Sequence, residues 1–133
     1  MTKKKEKILK EKIQLEYEIK VSPKMLYNRL STPSGLSEWF CDDVNIRINI
    51  YSFKWDDNVQ QAKLLSKKEE KFIRFQWLEE SEDTYFEFRI EIDDLTGDVA
   101  LVITDFCEKE ERKETTKLWN SQIDELRRVL GSF

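Results

Sequence analysis

The chain is predicted to fold as α+β: a curved antiparallel sheet of about seven strands, two short helices after the first strand, and a long C-terminal helix packed across the sheet. Three observations carry this. Apolar and polar residues alternate in one segment after another between Ile13 and Phe106, the pattern of half-buried strands. Turn residues separate those segments at short intervals, so successive strands return antiparallel. From Glu108 the period changes to three and four, with Leu118, Trp119, Ile123, Leu126, Val129 and Leu130 in one stripe and Gly131 as the stop.

The elements follow in order. Ile13, Leu15, Tyr17, Ile19 and Val21 alternate with Gln14, Glu16, Glu18 and Lys20, which predicts the first strand. Ser22-Pro23 supplies an N-cap with proline at the first helical position, and Met25, Leu26, Arg29 and Leu30 continue a short helix to the break at Thr32-Pro33. Ser34 to Phe40 is a turn into a second, very short helix whose Leu36, Trp39 and Phe40 pack one way, ended by Asp42-Asp43. Val44 to Trp55 changes parity near Asn49, which predicts two strands joined by a turn or bulge. Asp56-Asp57-Asn58 signals a hairpin into a strand with Ala62 and Leu64 on one face. Ile73, Phe75 and Trp77 mark the next strand, and Phe86, Phe88, Ile90 and Ile92 the one after, opposite a wet face of Tyr85, Glu87, Arg89 and Glu91. Val99 to Phe106 is nearly continuously apolar, as a central strand is.

A chain of 133 residues suits one domain. Residues 1–11 are expected to be an N-terminal extension or the start of the first strand, and residues 12–133 the domain itself. Charged residues make up 38% of the chain, yet four Trp, four Tyr and eight Phe demand a core. With 27 acidic and 23 basic residues intermixed and a net charge of −4, nucleic acid is not the expected partner, and the basic excess at Thr2 to Lys12 reads as a solvated terminus. No apolar run is long enough for a membrane span and no secretory signal opens the chain, so a cytoplasmic location is expected. Cys41 and Cys107 are expected as free thiols.

The chain contains no histidine. That removes Ser/His/Asp and Cys/His nucleophile pairs and histidine metal sites, while two distant cysteines fall short of an all-cysteine zinc site. No metal, cofactor or catalytic set is therefore predicted. The carboxylate pairs Asp42-Asp43, Asp56-Asp57, Glu79-Glu80 and Asp93-Asp94 read as turn chemistry, with Asp42 or Asp43 the best remaining polar contact for a ligand.

Taken together, the opening strand into Val21-Ser22-Pro23, the run Thr32-Pro33-Ser34-Gly35-Leu36 to Trp39-Phe40, Asp42-Asp43-Val44, Phe53-Lys54-Trp55, Phe75-Gln76-Trp77 and late Trp119 and Leu126 resemble the START-like or helix-grip superfamily. Within it they are similar to the homologues of the activator of Hsp90 ATPase. The resemblance runs from about Lys12 to Leu130. It implies a pocket between the long helix and the sheet for lipids, sterols, polyketides or other hydrophobic molecules; some relatives bind chaperones and a few are cyclases or hydrolases. This chain departs in having three glycines and an aromatic-crowded pocket face.

On that basis the candidate ligand-binding residues are Tyr17, Trp39, Phe53, Trp55, Phe75, Trp77, Phe86, Phe88, Trp119, Gln122, Ile123 and Leu126. The expected function is non-enzymatic binding of a small hydrophobic molecule. The alternative is a protein-interaction or co-chaperone-like domain whose aromatics fill the core. An outer strip of Tyr85, Ala100, Val102 and Phe106 is a surface for a homodimer or a protein partner.

Overall fold

The computed structural model describes residues 9–132. Strand β1 (Lys10–Glu18) leads to helices α1 (Pro23–Ser31) and α2 (Pro33–Leu36). Strands β2 (Asp43–Arg47), β3 (Ile50–Trp55), β4 (Asn58–Lys68), β5 (Phe72–Trp77), β6 (Phe86–Ile92) and β7 (Val99–Glu108) follow, and a single 3₁₀ turn enters α3 (Arg112–Leu130). The seven strands form one sheet in the order β1-β7-β6-β5-β4-β3-β2, antiparallel throughout.

The first strand starts earlier and ends earlier than its alternation suggests. Lys10 and Glu11 already pair with Glu108 and Cys107, so they open the strand. Ile19 keeps one bond to the Val99 carbonyl, but the chain then turns toward the Ser22 cap, where the side chain accepts from the Met25 N–H. The rest of the basic run, up to residue 8, lies outside the described residues.

Close packing of α1 on α2 depends on Gly35. A Cβ there would sit 2.3 Å from the Asn28 carbonyl oxygen and 2.7 Å from the Arg29 Cα, both backbone atoms. This approach delivers Leu36, Trp39 and Phe40 into the interior, all buried. The Trp39 indole N–H donates to the Arg29 carbonyl at 2.8 Å, tying the loop to α1.

Strand parity puts Tyr51, Phe53, Ala62, Ile73, Phe75, Phe86, Phe88, Leu101 and Ile103 on the face beneath the helices, where they are buried. Each fully buried Phe contributes roughly 1.5–3 kcal/mol by transfer from water. The rings also meet edge-to-face, as Phe53 and Phe75 do at 5.9 Å and 81°.

The outer face differs from expectation at its centre. Glu87, placed on the wet side by its parity, is only 4% exposed. Arg74 donates to its Oε1 at 2.9 Å and Arg89 to its Oε2 at 3.0 Å, and the two guanidinium groups lie over the rings of Tyr85 and Phe72 at 4.1 and 4.5 Å. Long arginine side chains thus roof the strand, and Val102 beneath them is buried as well. Burial works to raise the Glu87 carboxyl, but the two arginines outweigh it and hold it below its ordinary range.

Candidate functional site

The two halves of α3 meet the sheet differently. Toward its C-terminal end Ile123 and Leu126 are fully buried and Arg127 donates to the Glu18 carbonyl, while at mid-helix the Tyr17 hydroxyl donates to Asn120 Oδ1 at 2.6 Å. Ser132 completes the closure by accepting from the Lys20 N–H at 2.8 Å. At the N-terminal end only Trp119 reaches the core, while Leu118 is 61% exposed. The predicted apolar stripe therefore begins one residue later than its spacing suggests, because Trp119 occupies the inward position.

Between this half of the helix and the sheet lies an open groove of about 430 Å³. Its walls are aromatic: Phe40 from the loop before β2, Trp55 from β3, Trp77 from β5, Phe86 from β6 and Trp119 from α3. Trp77 stacks on Phe86 at 4.8 Å and 27°, Phe40 on Trp119 at 6.0 Å and 15°, and Trp55 and Trp77 lie tilted at 56° with centroids 6.2 Å apart. Leu118 forms the lip, and Asn58, Gln60, Thr115 and Gln122 complete the rim.

Two hydrogen-bond centres hold the walls. The Phe40 carbonyl accepts from the Trp55 indole at 2.7 Å and from Gln122 at 3.3 Å, joining loop, sheet and helix at one atom. Asp105, on β7, accepts from the Trp119 indole at 2.9 Å through Oδ2 and from the Phe106 N–H at 2.8 Å through Oδ1. Burial pushes the Asp105 carboxyl above its ordinary range; the two N–H donors and Lys10 pull against that, and Glu80 adds to it.

The sequence-derived candidates divide into two sets. Trp55, Trp77, Phe86, Trp119 and Gln122 line the groove. Trp39, Phe53, Phe75, Phe88, Ile123 and Leu126 are buried in the core behind it, and Tyr17 lies toward the closed half of the helix with Arg127 over its ring. Asp42 is used locally, accepting from the Asp56 N–H at 2.6 Å, and Asp43 accepts from the Val44 N–H. Phe40 and Asp105 are groove residues that sequence reasoning missed. The signal for Asp105 was strand parity: with Ala100, Val102 and Phe106 facing outward, Asp105 must face inward, but the apolar run around it masked a lone carboxylate.

The thiols offer little chemistry. Cys41 and Cys107 are buried and free, and burial, with Asp43 and Asp42 adding, pushes the Cys41 thiol up to about 12. No cluster of metal-ligating side chains occurs among the described residues, and no helix among them is long and apolar enough to cross a membrane.

A family model described as a START-like superfamily domain matches residues 7–132. The solution structure of BfR322 from Bacteroides fragilis is 41% identical, with 93% of each chain covered and a TM-score of 0.66. The Aha1 dimer from Colwellia psychrerythraea is 19% identical over 90% of this chain and 95% of that one, at a TM-score of 0.75. DynU16, from the dynemicin biosynthetic locus, is 12% identical over 90% of this chain and 47% of its own, at 0.77. The last two likenesses are of fold. No curated protein matches the chain.

Proposed function

The chain belongs to the START-like superfamily, and from that premise we propose that it binds a small hydrophobic molecule in the groove between α3 and the sheet, without catalysing a reaction on it. The observation that carries this reading is the groove itself. Its volume of about 430 Å³ falls within the ordinary range of ligand sites, and its aromatic walls carry polar side chains at the rim and one carboxylate, Asp105. The core behind it is packed with Phe53, Phe75 and Phe88, so the ligand lies against the open half of the helix and not deep beneath it.

Native mass spectrometry of the purified protein, followed by organic extraction, tests the reading. A retained lipid- or polyketide-like molecule, lost from a Trp77→Ala variant that still folds, supports it. Failure of a panel of such molecules to shift the Trp55 and Trp119 indole signals in NMR titrations would sink it. A second reading, a protein-interaction domain, is favoured by the groove's wide opening and by the fold shared with a protein solved as a dimer. It predicts a complex on this face, or on what the arginine roof leaves of the outer strip, Tyr85, Ala100 and Phe106, in place of a small ligand.

A further inference from the structure

The groove contains one charge. Among the described residues its lining includes Asp105 and no Lys or Arg, and Asp105 makes no ion pair. Nearby Lys10 is paired instead with Glu80. Each Asp105 oxygen accepts one N–H and keeps a second lone pair, so the carboxylate retains capacity for a further partner. The same groove is walled by three indoles, Trp55, Trp77 and Trp119, the last of which donates to Asp105, together with Phe40 and Phe86.

A partly buried carboxylate in a groove walled by indoles, one of which meets it edge-on through the Trp119 N–H, suits one kind of guest best. A neutral lipid gains apolar contact there but leaves the carboxylate desolvated without compensation, and an anion is repelled. An organic cation with apolar substituents gains from both features, since ring faces carry negative potential and Asp105 supplies the counter-charge. Resting on the reading of the groove as a ligand site, we infer that its occupant is an organic ammonium, an alkylated nitrogen cation on a hydrophobic body, seated against Trp55, Trp77 and Trp119 with Asp105 as counter-ion.

The polar rim is consistent with this guest. Asn58, Gln60, Thr115 and Gln122 bring no competing positive charge, and Gln122 already spends its amide on the Phe40 carbonyl. Indole-lined sites with one acid distinguish a cation from its neutral isostere by charge alone, because the two have the same shape.

The test uses the full chain and two probes of matched shape, benzyltrimethylammonium and its uncharged carbon isostere neopentylbenzene, followed through the indole N–H signals of the four Trp residues. The ammonium is expected to bind roughly tenfold tighter than the isostere, perturbing Trp55, Trp77 and Trp119 more than Trp39. Asp105→Asn, which keeps an acceptor for Trp119, should erase most of that preference while leaving isostere binding in place. Trp77→Leu, whose indole holds no hydrogen bond among the described residues, should weaken both probes and the ammonium more.

Equal binding of the two probes, or a preference that survives Asp105→Asn in a folded variant, overturns the inference and leaves the hydrophobic site standing. Binding of neither probe overturns the inference and counts against the groove as a ligand site.

Discussion

The two halves of α3 come from one amphipathic helix yet end in opposite situations. The C-terminal half is closed, with Ile123 and Leu126 fully buried and Arg127 and Ser132 bonding it to β1 and the turn after it. The N-terminal half stands over a groove, held through Trp119 to Asp105 and Asn120 to Tyr17 and, at mid-helix, by Gln122, while Leu118 faces solvent. Closure therefore follows from what the sheet offers below: apolar residues and a free carbonyl under one half, and the indoles of Trp55 and Trp77 with the Asp105 carboxylate under the other. Stability is expected to concentrate where the helix is sealed, and the open half is where the proposed ligand would sit.

The largest expected effect is at the sealed half. Ile123→Ala removes a fully buried side chain from a packed interior and should cost about 2–5 kcal/mol in urea unfolding. A loss below about 1 kcal/mol would mean that this half is not the anchor. Next is the joint between the halves: Trp119→Phe deletes the donor to Asp105 and should cost about 1–3 kcal/mol. A double-mutant cycle with Asp105→Asn should return a coupling energy, since the two groups share one bond.

The pH response comes third. Because burial raises the Asp105 carboxyl, the folded chain holds that proton to higher pH than the unfolded chain does. Asp105 therefore adds stability below the ordinary Asp range and withdraws it as pH rises through its folded value. Lys10 and Glu80 also face this group, the first lowering and the second raising it. Thermal melts across acidic pH should show Asp105→Asn flattening that decline. Glu87 has the opposite sign: its arginine-held carboxyl adds stability above the ordinary Glu range, lost as pH falls through its lowered folded value. The smallest effect is at the open half, where Leu118→Ala should stay within about 0.5 kcal/mol of wild type, because the side chain is already largely in water. A large loss there would show that the groove's lip carries structure.

Much of this was legible beforehand because it depends on short-range pattern. Period two exposed the strands, including the break at Asn49 between β2 and β3, and Ser22-Pro23 and Thr32-Pro33 bounded the first helix, whereas the second helix sits at Pro33–Leu36, ahead of the position expected for it after a turn at Ser34-Gly35. Five of the residues expected to line a ligand pocket, Trp55, Trp77, Phe86, Trp119 and Gln122, line the groove in the structure. What pattern could not do was sort aromatics into core and groove. Phe75 and Trp77 share one strand and one face, and only the first is fully covered.

By itself, then, the sequence determined the element order, the face each side chain presents and the loss of histidine-dependent chemistry, because parity, capping and composition act within a few residues. Tertiary structure alone decided which half of α3 closes, that Phe40 and Asp105 belong to the groove, and that Glu87 is roofed by arginines on a face expected to be wet. Those outcomes depend on the curvature of the sheet and on side chains meeting from strands distant in sequence, Arg74 with Glu87 and Asp105 with Trp119 among them.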